Sequence, residues 1–280
     1  MRLYLAGAES WLKAIEHQRG INVLFSYYYA RKKFPELLAF SEQRGFKVFL
    51  DSGAYSAFTK NATIRIDEYI DFCLEFGARV EVVSALDVIG DWKASALNYD
   101  LMRSAGIDCV PVFHVRSPWS ELERLVTEYD YIAFGIAGMQ ARRKSLGAWL
   151  LHAFNLVRNS NPLCKVHGFA ITSYELMRAF PFHSIDSSTW IEASKHAEIA
   201  IHKSDRLYRL GKQKRTEIFR EIRNSLTIPP DIEHLFLPRT ATIEQYLPLY
   251  RHNSQCWIDA AKRLGKQKET NLSEWTKDKR

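Results

Sequence analysis

The sequence predicts an α/β fold of the (β/α)8 barrel class, with a basic helical C-terminal extension. Three observations carry this. Eight short β-rich runs alternate with helical segments over roughly the first 190 residues. Several of those segments end in a glycine before the next run, as at Gly20, Gly45, Gly77 and Gly106. No Gly-x-Gly-x-x-Gly opens a helix, which disfavours a doubly wound open sheet.

The runs are 3–5, 22–26, 47–50, 80–86, 109–115, 131–134, 165–171 and 183–185. Between them apolar residues recur at steps of three and four, for example Ile66, Ile70, Cys73 and Leu74, or Leu122, Leu125 and Val126 after a Ser-Pro-Trp-Ser start. Length alone suggests two domains at about 150 residues each, but α/β barrels commonly use ~250 residues for one. The expected division is a catalytic barrel over 1–200 and a basic helical region over 201–280 that completes the barrel and contacts nucleic acid.

Composition sets further bounds. The chain has 280 residues, 46% apolar, 13% aromatic and 25% charged, as expected for a globular protein with a sizeable core. The longest apolar stretch, Leu146 to Val157, is interrupted by His152 and Asn155 and is too short to span a bilayer. The N-terminus reaches Glu9 too early for a secretory signal. The four cysteines, Cys73, Cys109, Cys164 and Cys256, are far apart and lack zinc-ligand spacing, so they read as reduced, mostly buried thiols of a cytoplasmic protein. The net charge is +7, and residues 191–280 hold 18 Lys and Arg against 12 Asp and Glu. Most of the excess charge is therefore C-terminal, which points to a polyanionic partner, nucleic acid first. Lys203, Arg206, Arg209, Lys212, Lys214 and Arg215 head the densest cluster, with Tyr208 and Phe219 interleaved. Arg-Leu-Gly-Lys-Gln-Lys occurs at 209–214 and again at 263–268, each copy reading as a helix end with a glycine cap.

In a barrel, chemistry belongs on the loops after the C-terminal ends of the strands. The third run ends in Asp51-Ser52-Gly53-Ala54-Tyr55-Ser56, and the fourth reaches Asp87, with Asp91 following. The fifth runs out at His114, the sixth at Gly135-Ile136-Ala137-Gly138, and the seventh includes His167. The eighth ends in Asp186-Ser187-Ser188. Singly these residues are ordinary turn formers and caps. Three aspartates after apolar strands on one rim suggest a shared site.

Leu50-Asp51-Ser52-Gly53-Ala54-Tyr55-Ser56 resembles the Asp-Ser-Gly-Gly-(Phe/Tyr)-Gln motif of the guanine transglycosylases, and the order of the remaining motifs matches over residues 1–200. That family is a (β/α)8 barrel. The resemblance implies general acid/base duty for Asp51, recognition of the base by Asp87, and backbone contacts to the base at Gly135 and Ile136. It implies Asp186 as nucleophile, with Ser52, Tyr55, His114 and His167 around the base. Departures are Ala54 for the second motif glycine, Ser56 for its glutamine, and His114 and His167 for two base-contacting positions. The zinc-binding cysteines of the tRNA enzymes are missing, so the chain is more similar to zinc-free relatives acting on DNA in phages and bacteria.

The chemistry suits these residue types. Exchange at one anomeric carbon with retention takes two displacements through a glycosyl-enzyme, for which a carboxylate is a suitable nucleophile. One group then serves first as acid and then as base. An ionised carboxylate accepts from the adjacent N–H donors of guanine or a 7-deazaguanine. Tyr55, with His167 opposite, offers stacking. The expectation is exchange of guanine for a 7-deazaguanine base in nucleic acid, DNA ahead of tRNA, with neither metal nor cofactor and no membrane partner. Two competing expectations are a metal-dependent hydrolase using His114, His167 and an aspartate, and a barrel that binds nucleic acid without chemistry.

Overall fold

The computed structural model describes residues 1–136, 143–196, 198–203, 206–210 and 243–277. They form two compact units, one of Met1–Glu9 with Arg19–Ser187, the other of Ser10–Gln18 with Ser188–Arg280. The packing boundary thus falls at 187/188, ahead of the expected division at 200.

The first unit contains eight strands: β1 (Arg2–Ala6), β2 (Asn22–Ser26), β3 (Lys47–Asp51), β4 (Val82–Val83), β5 (Val112–His114), β6 (Tyr131–Gly135), β7 (Lys165–Gly168) and β8 (Ser184–Ser187). They pair in parallel in the order β4-β3-β2-β1-β8-β7-β6-β5. The edge strands β4 and β5 meet through one bridge, Ser84 to Val110, where Val110 N–H donates to Val83 O (2.8 Å) and Ala85 N–H to Val110 O (2.9 Å). The sheet is therefore curled into a (β/α)8 barrel with a thin β4–β5 seam.

Between the strands run α2 (Tyr27–Ala30), α3 (Phe34–Gln43), α4 (Ala54–Thr59), α5 (Ile66–Phe76), α6 (Trp92–Ser104), α7 (Trp119–Glu128), α8 (Arg143–Ser160) and α9 (Tyr174–Ala179), while α1 (Leu12–Ile15) belongs to the second unit. Leu122, Leu125 and Val126 line the buried side of α7, as their spacing predicts. On α5 the buried residues are instead Tyr69, Cys73 and Phe76, with Ile66 and Ile70 only partly buried and Leu74 exposed, so the expected apolar face holds there only at Cys73. Gly20, Gly45 and Gly106 have φ of 61°, 65° and 81°, the left-handed conformation that favours glycine. Gly77 instead continues at φ −60° into a 3-10 turn, so it is no left-handed cap.

Inside the barrel the strands alternate with period two. Tyr4, Ala6, Leu24 and Phe49 cluster with Val82 and Phe169, and Val110, Val112 and Ala133 pack on the same two residues. Two residues beyond Leu24, Phe49, Val112 and Ala133, at the mouth, stand Ser26, Asp51, His114 and Gly135. Ser26 is the register partner of Asp51, and His114 of Gly135.

The second unit holds α1, α10 (Thr189–Lys195), an antiparallel hairpin of β9 (Ile199–Lys203) and β10 (Arg206–Leu210), and α11 (Ile243–Lys277). Buried Asn253 of α11 ties the hairpin down: its Oδ1 accepts from Ala200 N–H (2.7 Å), and its Nδ2 donates to Glu198 O and Ser194 Oγ (both 2.9 Å). The region expected to be helical thus contains two strands. The second Arg-Leu-Gly-Lys-Gln-Lys copy lies inside α11, which continues through Gly265, so that glycine does not end the helix.

Candidate functional site

Asp51 closes β3 with its carboxylate on the inward side, where Gly53 N–H donates to its Oδ2 (3.1 Å). Burial, reinforced by the nearby charges of Asp87 and Asp186, pushes its pKa up to about 8, against the weaker opposing pull of the Gly53 N–H. Asp51 is therefore protonated at neutral pH. Gly53, at φ 78°, starts α4 and can only be glycine: a β-carbon there would stand 2.5 Å from both Ser26 Oγ and Tyr28 Cβ.

Asp87 is buried after β4, and its Oδ2 lies 2.7 Å from His114 Nε2. A carboxylate only accepts, so the ring donates from Nε2. Fully buried Ser52 approaches Asp87 Oδ1 at 3.5 Å. His114 is held by the glycine opposite it in register, since a β-carbon on Gly135 would stand 2.5 Å from His114 Nδ1 and 2.6 Å from its Cε1. Gly135 thereby seats the histidine that orients Asp87. Ile136 follows with its side chain buried, while Ala137 and Gly138 lie outside the described residues. Asp91 is a helix cap, accepting from the N–H groups of Lys93 and Ala94.

Asp186 is buried on β8. Its Oδ1 accepts from Ala170 N–H (2.8 Å) and faces His167 Nε2 at 3.3 Å. Ala170 takes φ 54°, a left-handed conformation uncommon for a non-glycine residue, and so aims its N–H at the carboxylate. His167 has no exposed surface, and its ring lies 4.6 Å from both Phe49 and Phe169. Burial holds it below the usual histidine range, hence neutral. With Nε2–H donating to Asp186, Nδ1 accepts from Ser184 (2.6 Å), whose oxygen accepts from Tyr131 (2.5 Å). This chain of donors fixes the Asp186 carboxylate. The stacking role expected of His167 is therefore corrected. In register His167 is level with Ser184, one layer beneath Asp186, where no base can lie on it. Tyr55, by contrast, is 51% exposed at the start of α4.

Three aspartates from β3, β4 and β8 thus share the C-terminal mouth of the barrel. The residues that sequence reading missed are Ser26, Ser184, Tyr131 and Ala170. Ser184 and Tyr131 were detectable as inward positions at period two, whereas nothing in the sequence marks Ala170. A cavity of about 550 Å³ opens beside the seam, among residues including Glu81, Arg103, Asp108 and Lys165. Several of its charges are neutralised locally, Glu81 by Arg2 and Lys47, and Arg103 by Glu128, which suits a structural end better than a reacting one.

Of the basic cluster, Arg209 lies on β10 and is paired with Glu198. Lys203 and Arg206 lie on the hairpin strands, their side chains outside what is described, and Lys212, Lys214 and Arg215 lie outside the described residues altogether. All four cysteines are free, Cys256 alone being less than buried. Among the described residues no helix is long and apolar enough to cross a membrane, and no three His, Cys, Asp or Glu are grouped to hold a metal ion. His114 and His167 each belong to a different aspartate.

No protein-family model matches the chain, nor does any curated protein sequence. Solved structures similar to it include two mutant forms of the tryptophan synthase α-subunit from the hyperthermophile Pyrococcus furiosus. They are 16% and 14% identical, with TM-scores of 0.40 and 0.38, each match covering 69% of this chain and 88% of the other. At that level the likeness says nothing of activity or substrate.

Proposed function

We propose that the protein is a base-exchange transglycosylase that replaces guanine with a 7-deazaguanine base in nucleic acid, DNA in preference to tRNA. The observation that carries this reading is the set of three rim carboxylates, one of them, Asp51, kept protonated near neutral pH by its surroundings. A retaining exchange needs a proton donor, an anionic nucleophile and a carboxylate for the base edge, and the three aspartates sit in environments suited to those separate tasks.

In the first half-reaction Asp186 Oδ2, which makes no hydrogen bond among the described residues, attacks C1′ of the flipped nucleotide. The C1′–N9 bond breaks and the departing guanine takes the Asp51 proton. In the second, the incoming base gives its N9 proton to the Asp51 carboxylate and attacks C1′, releasing Asp186. His167, Ser184 and Tyr131 hold the nucleophile's other oxygen. Asp87, anchored by His114, retains lone pairs for the N–H donors of a guanine edge, and Tyr55 supplies a stacking face.

Incubating the protein with labelled guanine and either DNA or tRNA tests the reading. Label should enter DNA faster than tRNA, and mass spectrometry of nucleosides should find the 7-deazaguanine when that base is supplied. Failure of label to enter either polymer rejects the exchange. Gly135→Ala should also be informative, because its β-carbon would force His114 off Asp87. Loss of a hydrogen bond to a charged group, worth about 1.5–3 kcal/mol, should lower kcat/KM for the incoming base roughly 10- to 150-fold. A Gly135→Ala enzyme with parental kinetics would remove His114 from base recognition.

A further inference from the structure

We propose that the barrel rim beside Asp51 carries a platform for single-stranded nucleic acid, with Tyr29, Tyr55 and Phe58 as stacking faces and Arg31, Lys32 and Lys33 as phosphate contacts. It deepens the proposed function and rests on that reading for the class of polymer, but its observations are separate. β2 and β3 are neighbours, so α2 and α4 leave the mouth side by side, and the close approach of Gly53 to Tyr28 shows them in contact.

These two segments carry every aromatic side chain that is about half or more exposed among the described residues: Tyr29 at 54%, Tyr55 at 51% and Phe58 at 57%. The other aromatics whose burial is described are buried or partly so, and the three exposed ones lie on adjacent segments at the site mouth. Tyr55 and Phe58 stand three residues apart on α4 and so share one face.

The residues that directly follow α2 and α4 are cationic. Arg31, Lys32, Lys33 and Lys60 are all exposed, and none forms an ion pair among the described residues. Elsewhere on the barrel Arg65, Arg79 and Arg103 are neutralised by Asp67, Glu42 and Glu128, while exposed Arg116 and Arg178 stand singly and not as a run of three. Exposed rings followed by cations without ion pairs, Arg31 resting over the Tyr27 ring at 5.7 Å, match the needs of an unstacked strand: bases lie on the rings without sequence preference and phosphates meet the charges. Stacking the flanking bases here also offsets the cost of extruding the target base towards Asp51.

The test is fluorescence anisotropy of the full chain with labelled oligo(dT), repeated over a range of salt concentrations. Tyr29→Ala with Phe58→Ala should weaken binding at least about fivefold per ring removed. Lys32→Ala with Lys33→Ala should flatten the slope of log K against log salt by about 1.4, or 0.7 per phosphate contact. Lys32→Arg with Lys33→Arg should restore it. All sites are exposed, so thermal melts should be unchanged and serve as the folding control. Parental affinity and slope in both double-alanine variants overturn the platform. So does a parent protein that ignores oligo(dT) while binding anionic lipid vesicles through the same lysines. Label exchange is scored separately: platform-dependent binding without guanine incorporation would reject the exchange and keep the platform. Incorporation with binding indifferent to these substitutions would do the reverse.

Discussion

Asp186→Asn is expected to abolish exchange, lowering the rate on the order of 10⁴-fold or more, as removal of a covalent nucleophile does in other enzymes. The substitution keeps the shape of the side chain and the Ala170 N–H contact to its oxygen, so the loss is chemical rather than structural. No covalent adduct with nucleic acid should survive denaturing electrophoresis after a single-turnover incubation. Asp51→Asn behaves differently. It cannot cycle a proton, which costs about 10²- to 10⁴-fold, but it leaves Asp186 held by Ala170 and His167. A slow adduct should therefore accumulate when no acceptor base is supplied. An adduct that persists in Asp186→Asn and vanishes in Asp51→Asn would mean that nucleophile and acid/base are exchanged. No adduct in any variant, with exchange intact in the parent, would point to a dissociative path in which Asp186 only stabilises cationic charge at C1′.

The barrel and its mouth were legible because both follow from periodicity and order. Eight β-rich runs gave eight strands, and the residues following them fell on one rim. Strand lengths were less legible. The run 80–86 yields the two-residue β4, and 109–115 the three-residue β5. Pro111 has no N–H to give a ladder, and at Val112 the hydroxyl of Tyr99 from α6 takes both backbone groups that would face β4, donating to Val112 O (2.9 Å) and accepting from Val112 N–H (3.1 Å). No local pattern announces a side chain that substitutes for a strand. Depth within the barrel was equally hidden. Period two places His167 inward, but only the register with β8 shows that it lies under Asp186 and not over a bound base. In the C-terminal region charge drew attention away from alternation: Ile199 and Ile201, paired with Leu210 and Tyr208, mark a hairpin that was expected as helix. The exposed aromatics of α2 and α4 show the same limit, since Tyr27, Tyr28 and Tyr29 are indistinguishable in sequence although Tyr27 is buried and Tyr29 is out.

Asp51→Asn should also make the protein more stable, with an effect that depends on pH in a stated direction. The folded-state pKa of Asp51 is raised from 3.8 to about 8, so between these values the unfolded chain has lost a proton that the folded chain still holds. The unfolded state thus binds fewer protons, and the stability contributed by this group falls as pH rises through that window. Below about pH 4 both states are protonated and the penalty is absent; above about pH 8 it is complete. Asparagine mimics the protonated acid and titrates in neither state. Allowing for solvent access and for sharing of charge among the three carboxylates, Asp51→Asn should gain on the order of 2–4 kcal/mol at pH 7 to 8 and close to nothing at pH 4. Paired denaturant or thermal melts across pH 4 to 9 measure this directly. A stability difference that stays flat with pH would mean that Asp51 is ionised in the folded protein at neutrality and is no reservoir for the proton that guanine needs. A difference that grows with pH, together with an exchange rate that declines above about pH 8 as the donor is lost, would tie strain and chemistry to the same carboxyl group.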